Sequence, residues 1–273
     1  MSSPHNLDTY YPPFANCSLS SSLSSESVDV DVMSGLSTGA ILKQYLSTFP
    51  SELKIAHFNA RSMRSDDKFS ELLDIVSGVG LDIICITESW LNDSISDSDI
   101  SILGYRVIRK DRVHGVGHGG IVIYLNNSFS YKVLASSSPS QTPSVEYLIV
   151  EIVSASSKLL LAAVYHPPRA VRAGSLDQFE EELEFFLTNY QYRFVLGDFN
   201  IDLSIASPLS AQLRNLFISL NLHILPTDTT FHRLNYDSTL DLMAVGDESS
   251  VLFTIAIFTY RVVFFFDQLF SKS

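Results

Sequence analysis

Cysteine is almost missing from this chain: Cys17 and Cys85 are the only two in 273 residues. Two thiols cannot make a disulfide framework, nor a four-ligand zinc site without heavy help from histidine. Basic side chains are also scarce, with 18 Lys and Arg against 30 Asp and Glu, a formal charge of −12. That balance excludes a non-specific coat for a polyanion, which needs a cationic surplus to displace counterions. The N-terminus, MSSPHNLDTYYPPF, has no basic n-region followed by an apolar h-region, so no secretory signal is expected and the chain reads as intracellular, nuclear or cytoplasmic. The longest apolar stretch, VLFTIAIFTYRVVFFF at 251–266, holds 16 residues with Arg261 inside it. A span of hydrocarbon takes about 20 largely uncharged residues, so a buried strand VLFTIAIF followed by a poorly packed aromatic end is expected, and no membrane contact. No HExxH frame occurs, which leaves no helical zinc pair to single out. No internal repeat is visible.

What is present is core-forming material: 46% of residues are hydrophobic and only 18% charged, enough to fill one large domain. Residues 1–50 are the exception. SLSSSLSSES and the VDVDV after it cannot bury enough apolar surface to offset their ordering entropy, so a disordered Ser-rich leader is expected there. From residue 51 short apolar runs alternate with amphipathic stretches. Strands are expected at 53–58, 82–87, 105–110, 119–125, 145–153, 158–165, 192–198 and 239–245. KLLLAAVY (158–165) is apolar almost throughout and should be covered on both faces; with VEYLIVEIV and a short SASS turn it reads as an antiparallel hairpin. Phe69, Leu72, Leu73 and Val76 form one face of a helix within 66–78. A second helix is expected from Ser175 and Gln178, which have capping-box spacing, with Leu176, Phe179, Leu183, Phe186 and Leu187 as its stripe. This α/β pattern fits two packed sheets flanked by helices better than a regular βαβ repeat. The domain is expected to span 51–260, with 261–273 as a divergent apolar tail.

Polar residues at strand ends are the chemical clue, because a strand fixes its backbone while the residue just past it projects into a cleft. Asn59 follows LKIAHF, Glu88 follows DIICIT, Tyr165 ends KLLLAAVY, Asp198 and Asn200 close RFVLGDFN, and Asp241 lies in TLDLMAV. Gathered on one side, they would suit a hard cation such as Mg²⁺, which takes oxygen ligands, and could activate a water for attack at phosphorus. Each also has an ordinary role: Asn59 as a turn former, Glu88 in a helix first turn, Tyr165 as a strand-end aromatic, Asp241 as a paired structural acid. His114 and His118, in HGVGHGG, sit in a Gly-rich stretch that reads as a hairpin connection. Arg61, Arg64, Lys68, Arg106, Arg109, Lys110 and Arg112 are candidates for a local basic groove or for solvated charge.

Six stretches together, LKIAHFNARSM, DIICITESWL, GHGGIVIYL, LLLAAVYHPP, RFVLGDFNIDL and FHRLNYDSTLDLMAV, resemble the endonuclease/exonuclease/phosphatase superfamily. The wording is most similar to the endonuclease domain of non-LTR (LINE-type) retrotransposons, and covers roughly residues 53–245. The resemblance implies a DNase I-like four-layer α/β-sandwich and Mg²⁺-dependent (or Mn²⁺-dependent) cleavage of phosphate esters, with DNA as substrate. It also implies roles: Glu88 as main metal ligand, Asn59 helping to bind metal and phosphate, and Tyr165 hydrogen-bonding the phosphate. Asp198 would position or deprotonate the attacking water, Asn200 would orient it, and Asp241 would orient a catalytic histidine.

The chain departs from that pattern at its C-terminal end. The family's closing Ser-Asp-His-like stretch has no counterpart in YRVVFFFDQLFSKS, and the last histidine, His232, precedes Asp241. Asp241 is therefore expected to have no imidazole to orient, and one sheet to lack its final strand. Loss of such a group typically costs about 10²- to 10⁴-fold in rate. Three readings remain open: an impaired nuclease of retrotransposon origin, a phosphatase or phospholipid phosphodiesterase on the same scaffold, and a non-catalytic remnant of the fold.

Overall fold

The computed structural model describes Lys43, Ser47 and residues 52–112, 118–140, 143–154, 157–225, 231–233, 236–238, 240–257 and 260–265. The Ser-rich leader and His114 lie outside the described residues.

The first half of the chain runs β1 (Leu53–Asn59), α1 (Asp66–Val76), β2 (Ile83–Thr87), β3 (Tyr105–Lys110) and β4 (Ile121–Asn126). The second runs β5 (Ser130–Ser136), β6 (Glu146–Ser154), β7 (Ser157–Tyr165), α2 (Asp177–Leu187), β8 (Tyr192–Asp198), α3 (Pro208–Ser219) and β9 (His223–Ile224). It continues with β10 (Phe231–Arg233), β11 (Tyr236–Ser238), β12 (Asp241–Val245), β13 (Val251–Ile257) and β14 (Tyr260–Phe265). Two six-stranded sheets result, in the orders β13-β14-β1-β2-β4-β3 and β5-β6-β7-β8-β12-β9, with β10 and β11 as a separate hairpin. In each large sheet the third and fourth strands are parallel and joined through a helix, and every other neighbouring pair is antiparallel. A repeat that no sequence self-similarity betrays is thus present in the strand pattern.

The apolar periodicity explains the layering. Residues pointing to one side of each sheet, among them Ile55, Ile83, Cys85 and Ile123 from the first and Leu148, Leu161, Phe194 and Met243 from the second, form the core between the sheets. Alternate residues face outward: Phe58, Ile84, Ile86 and Tyr124 pack on Leu72, Ile75 and Val76 of α1. On the far side Ile149, Leu160, Val164 and Val195 pack on Phe179 and Leu183 of α2 and on Leu213 and Phe217 of α3. The molecule is therefore a four-layer α/β-sandwich. Both faces of β7 are covered, and Ser154 pairs with Ser157 across the tight connection from β6.

Three local expectations are corrected. Ser175 does not cap α2: Leu176 occupies the N-cap with no side-chain bond, and the Ser175 hydroxyl donates to the Arg172 carbonyl. The capping box sits instead on α3, between Ser207 and Ser210 with Pro208 following the cap, on a helix the periodicity did not single out. The expected loss of a closing strand also does not occur, because β14 continues past residue 260 and pairs with both β13 and β1.

Candidate active site

The two parallel pairs end side by side, and their polar residues fall into register. Tyr165 on β7 is opposite Asp198 on β8, which is opposite Asp241 on β12. In the other sheet Asn59 on β1 is opposite Thr87 on β2, one residue before Glu88. Asn59 joins the two rows. Its Nδ2 donates to Glu88 Oε1 at 2.9 Å and to Asp198 Oδ2 at 2.8 Å, and its Oδ1 accepts from the Arg61 backbone N–H at 3.2 Å. Between two carboxylates only the donor end of an amide is accommodated, which fixes its orientation. The carboxamide therefore acts here as a clamp on both acids, and its oxygen faces its own loop.

The backbone at these strand exits is under local constraint. Glu88 (φ +52°) and Asn200 (φ +50°) both occupy the left-handed region, at corresponding places past β2 and β8. Asparagine tolerates that region, whereas glutamate adopts it at a cost, a condition that collects at functional sites. Asn200 is held at both ends: its N–H donates to Asp198 Oδ1 at 3.0 Å and its Nδ2 to the His166 carbonyl at 2.9 Å. The glycine before Asp198 is dictated by packing, since a Cβ on Gly197 would lie 1.9 Å from the Val164 carbonyl oxygen of β7.

Electrostatics mark the same place. Burial pushes the Asp198 carboxyl well above the usual carboxylate range, and the nearby acids Asp241 and Glu88 push it further. Burial, then the Glu88 and Asp198 carboxylates, push the Tyr165 phenol up, so it stays a proton donor at neutral pH. Such an excess of buried acid suits a divalent cation. The described residues contain no ready-made cluster of three His, Cys, Asp or Glu side chains around a common centre.

The structure also supplies a partner that the sequence reading missed. Asp241 has an imidazole beside it: His57 Nδ1 lies 3.7 Å from Asp241 Oδ1, and His57 Nε2 is 3.1 Å from the Thr87 hydroxyl. The expectation that Asp241 lacks a histidine is thereby overturned, because β1 brings one from the opposite sheet. His57 is fully buried, however, and bonded toward Thr87, so it lies beneath the cleft and not in it. Period-two alternation could have flagged His57 as an inward-facing polar residue on an apolar strand.

Most of the expected basic groove is otherwise engaged. Arg109 pairs with Asp111 and Asp97 (3.2 Å to the latter), Arg106 donates to the Phe129 carbonyl at 2.8 Å, and Lys68 pairs with Glu71 at 3.0 Å. Arg112 forms a buried ion pair with Glu146, whose other oxygen accepts from Gly120 N–H at 2.7 Å. Arg106, Arg109 and Arg112 thus brace loops, whereas the Lys68 pair lies on the exposed face of α1 and Arg61 and Arg64 are exposed.

Comparison with known proteins agrees with this architecture. The family model described as "Endonuclease/Exonuclease/phosphatase family" matches residues 55–260. Among solved structures, the endonuclease domain of TRAS1, a telomere-specific non-LTR retrotransposon, superposes with a TM-score of 0.57 at 14% identity, over 79% of this chain and 99% of that one. The AP endonuclease LMAP from Leishmania major gives 0.61 at 14% identity, over 81% and 90%. A 3′ phosphatase, NExo from Neisseria, bound to product DNA hairpin, gives 0.58 at 13% identity, over 79% and 100%. No curated protein sequence matches. With the family model covering most of the sequence and the sandwich reproduced throughout, the chain belongs to the endonuclease/exonuclease/phosphatase family.

Proposed function

We propose that this protein is a Mg²⁺-dependent phosphodiesterase acting on DNA, an endonuclease of the non-LTR retrotransposon type, working below the rate of an intact relative. The observation that carries the reading is the Asn59 clamp, which holds Glu88 of one sheet and Asp198 of the other on a single amide. The DNA assignment is supported by the retrotransposon endonuclease domain and the DNA-bound phosphatase among its structural relatives.

Glu88 would hold the dication, with Asn59 fixing its carboxylate and that of Asp198 in place. Bound there, the cation supplies neutralisation of phosphate charge and polarisation of a phosphate oxygen. Asp198, its proton affinity raised by burial and neighbouring acids, accepts a proton from the attacking water. Tyr165, protonated throughout the working range, donates to a non-bridging phosphate oxygen. Asn200, anchored by its own backbone N–H and by His166, orients the water and the phosphate. His57 lies against Asp241 from below. The imidazole beside Asp241, that of His57, is fully buried, and an active site without an imidazole on the phosphate turns over about 10²- to 10⁴-fold more slowly.

Plasmid nicking with Mg²⁺, against EDTA and Glu88→Ala controls, tests the reading. Slow, metal-dependent nicking abolished in Glu88→Ala is expected. Cleavage at the speed of an intact relative refutes the impairment, and thermal stabilisation by Mg²⁺ without nicking assigns a non-catalytic remnant instead.

A further inference from the structure

The chain is acidic overall, and Arg109 and Arg112 are paired with carboxylates, so grip on a nucleic acid is not expected to rest on charge alone. The rim beside Glu88 offers another hold. Trp90, the only tryptophan in the sequence, stacks on His118 with ring centroids 3.8 Å apart at 36°. His118 is exposed and Trp90 half-buried. The pair is prebuilt from two loops: Trp90 N–H donates to the Gly119 carbonyl at 2.8 Å, and Ser89 N–H to the Gly120 carbonyl at 3.3 Å. The indole N–H then reaches Glu88 Oε2 at 3.3 Å, which ties this platform to the acid at the centre of the site. Trp90 is held with φ +56°, a conformation an aromatic residue rarely adopts.

From this juxtaposition we infer that the Trp90–His118 pair is a base-stacking subsite, seating the nucleobase next to the linkage that is cut. The inference rests on the hydrolase reading and deepens it. A stacking surface accepts any base through its π-face, needs no positive charge, and gives a nucleic acid an advantage over phosphate esters that carry no base.

The sole tryptophan makes the test direct. Full-length protein in Mg²⁺ is titrated with a phosphorothioate single-stranded oligonucleotide, with the same strand made abasic at its central positions, and with inorganic phosphate. Trp90 emission and the anisotropy of end-labelled strands are followed together. The intact strand is expected to quench Trp90 and to bind about tenfold more tightly than the abasic one, within the range for one stacked base; phosphate leaves the emission unchanged. Trp90→Ala removes the tenfold preference. His118→Ala, a change at an exposed position, reduces it and guards against misfolding of the tryptophan variant. Equal binding of the two strands, binding with emission unchanged, or no binding of either overturns the subsite. Nicking that persists with KM unaltered in Trp90→Ala overturns the subsite and leaves the hydrolase standing. Base-dependent quenching without metal-dependent cleavage does the reverse.

Discussion

The two sheets share one strand pattern but carry unequal chemistry at corresponding ends. Past β2 stands Glu88, and β8 ends on Asp198 with Asn200 just beyond, each exit with a residue at positive φ. The neighbouring antiparallel strand differs most: β4 is entered through Gly119, which lets a buried Glu146–Arg112 pair approach, and Gly120, whereas β12 opens on Asp241. The first half thus contributes one acid and the amide clamp, and the second contributes the phenol, the buried acid and its orienting groups. A duplicated frame brings two strand exits together, and the proposed function divides charge neutralisation and proton handling between them.

The sharpest way to break that division is to neutralise each acid in turn. Glu88→Gln and Asp198→Asn are both expected to reduce nicking by about 10³-fold, as for loss of a transition-state partner. Only Glu88→Gln should also abolish the rise in thermal midpoint caused by saturating Mg²⁺, worth about 2.7 kcal/mol at 100 times Kd. If both variants keep or both lose that rise, the assignment of metal to one half fails.

Next in size is the backbone at the two exits. Gly197→Ala drives a Cβ into the β7 carbonyl and should lower stability by more than about 3 kcal/mol. Gly120→Ala meets only the Ser89 hydroxyl at 2.6 Å, a group able to turn away, so its loss should be smaller despite the φ of +90°. Urea unfolding without metal ranks the two, and equal losses would mean that β7–β8 contact is no tighter than its counterpart.

The bridge between halves comes third. Asn59→Leu leaves both carboxylates without their shared donor and should destabilise the metal-free protein by about 1–3 kcal/mol. An unchanged denaturation midpoint would show that the clamp does not hold the sheets' ends together. Smallest is the helix cap: Ser207→Ala should cost about 1 kcal/mol and Ser175→Ala close to nothing, measured by the same unfolding curves.

That last contrast shows where sequence reading succeeds and where it stops. Ser175–Gln178 had the right spacing, but the chain turns at Arg172 and the helix begins at Asp177, so spacing without the entry angle misplaced the cap. Ser207 and Pro208, with Leu209, Leu213, Leu216 and Phe217 following, carry a readable local signal for α3. β5, largely exposed on a sheet edge, alternates only as far as Val133 before Leu134 breaks the period. Asn59, Tyr165, Asp198, Asn200 and Asp241, with Glu88, were legible as candidates because polar residues ending apolar strands stand out locally. That Asn59 binds both acids was not legible, nor was the pairing of His57 with Asp241.

What the sequence determined alone is most of the central strands, two of the helices and the kinds of side chain at the strand ends, because apolar periodicity and strand-end polarity are local and survive without a partner. What tertiary structure decided is who meets whom. Contacts between Asn59 and Asp198, His57 and Asp241, or β14 and β1 depend on the register of strands distant in the chain and on how two twisted layers face each other. Free energy summed over the whole core sets that geometry, and no window of residues contains it.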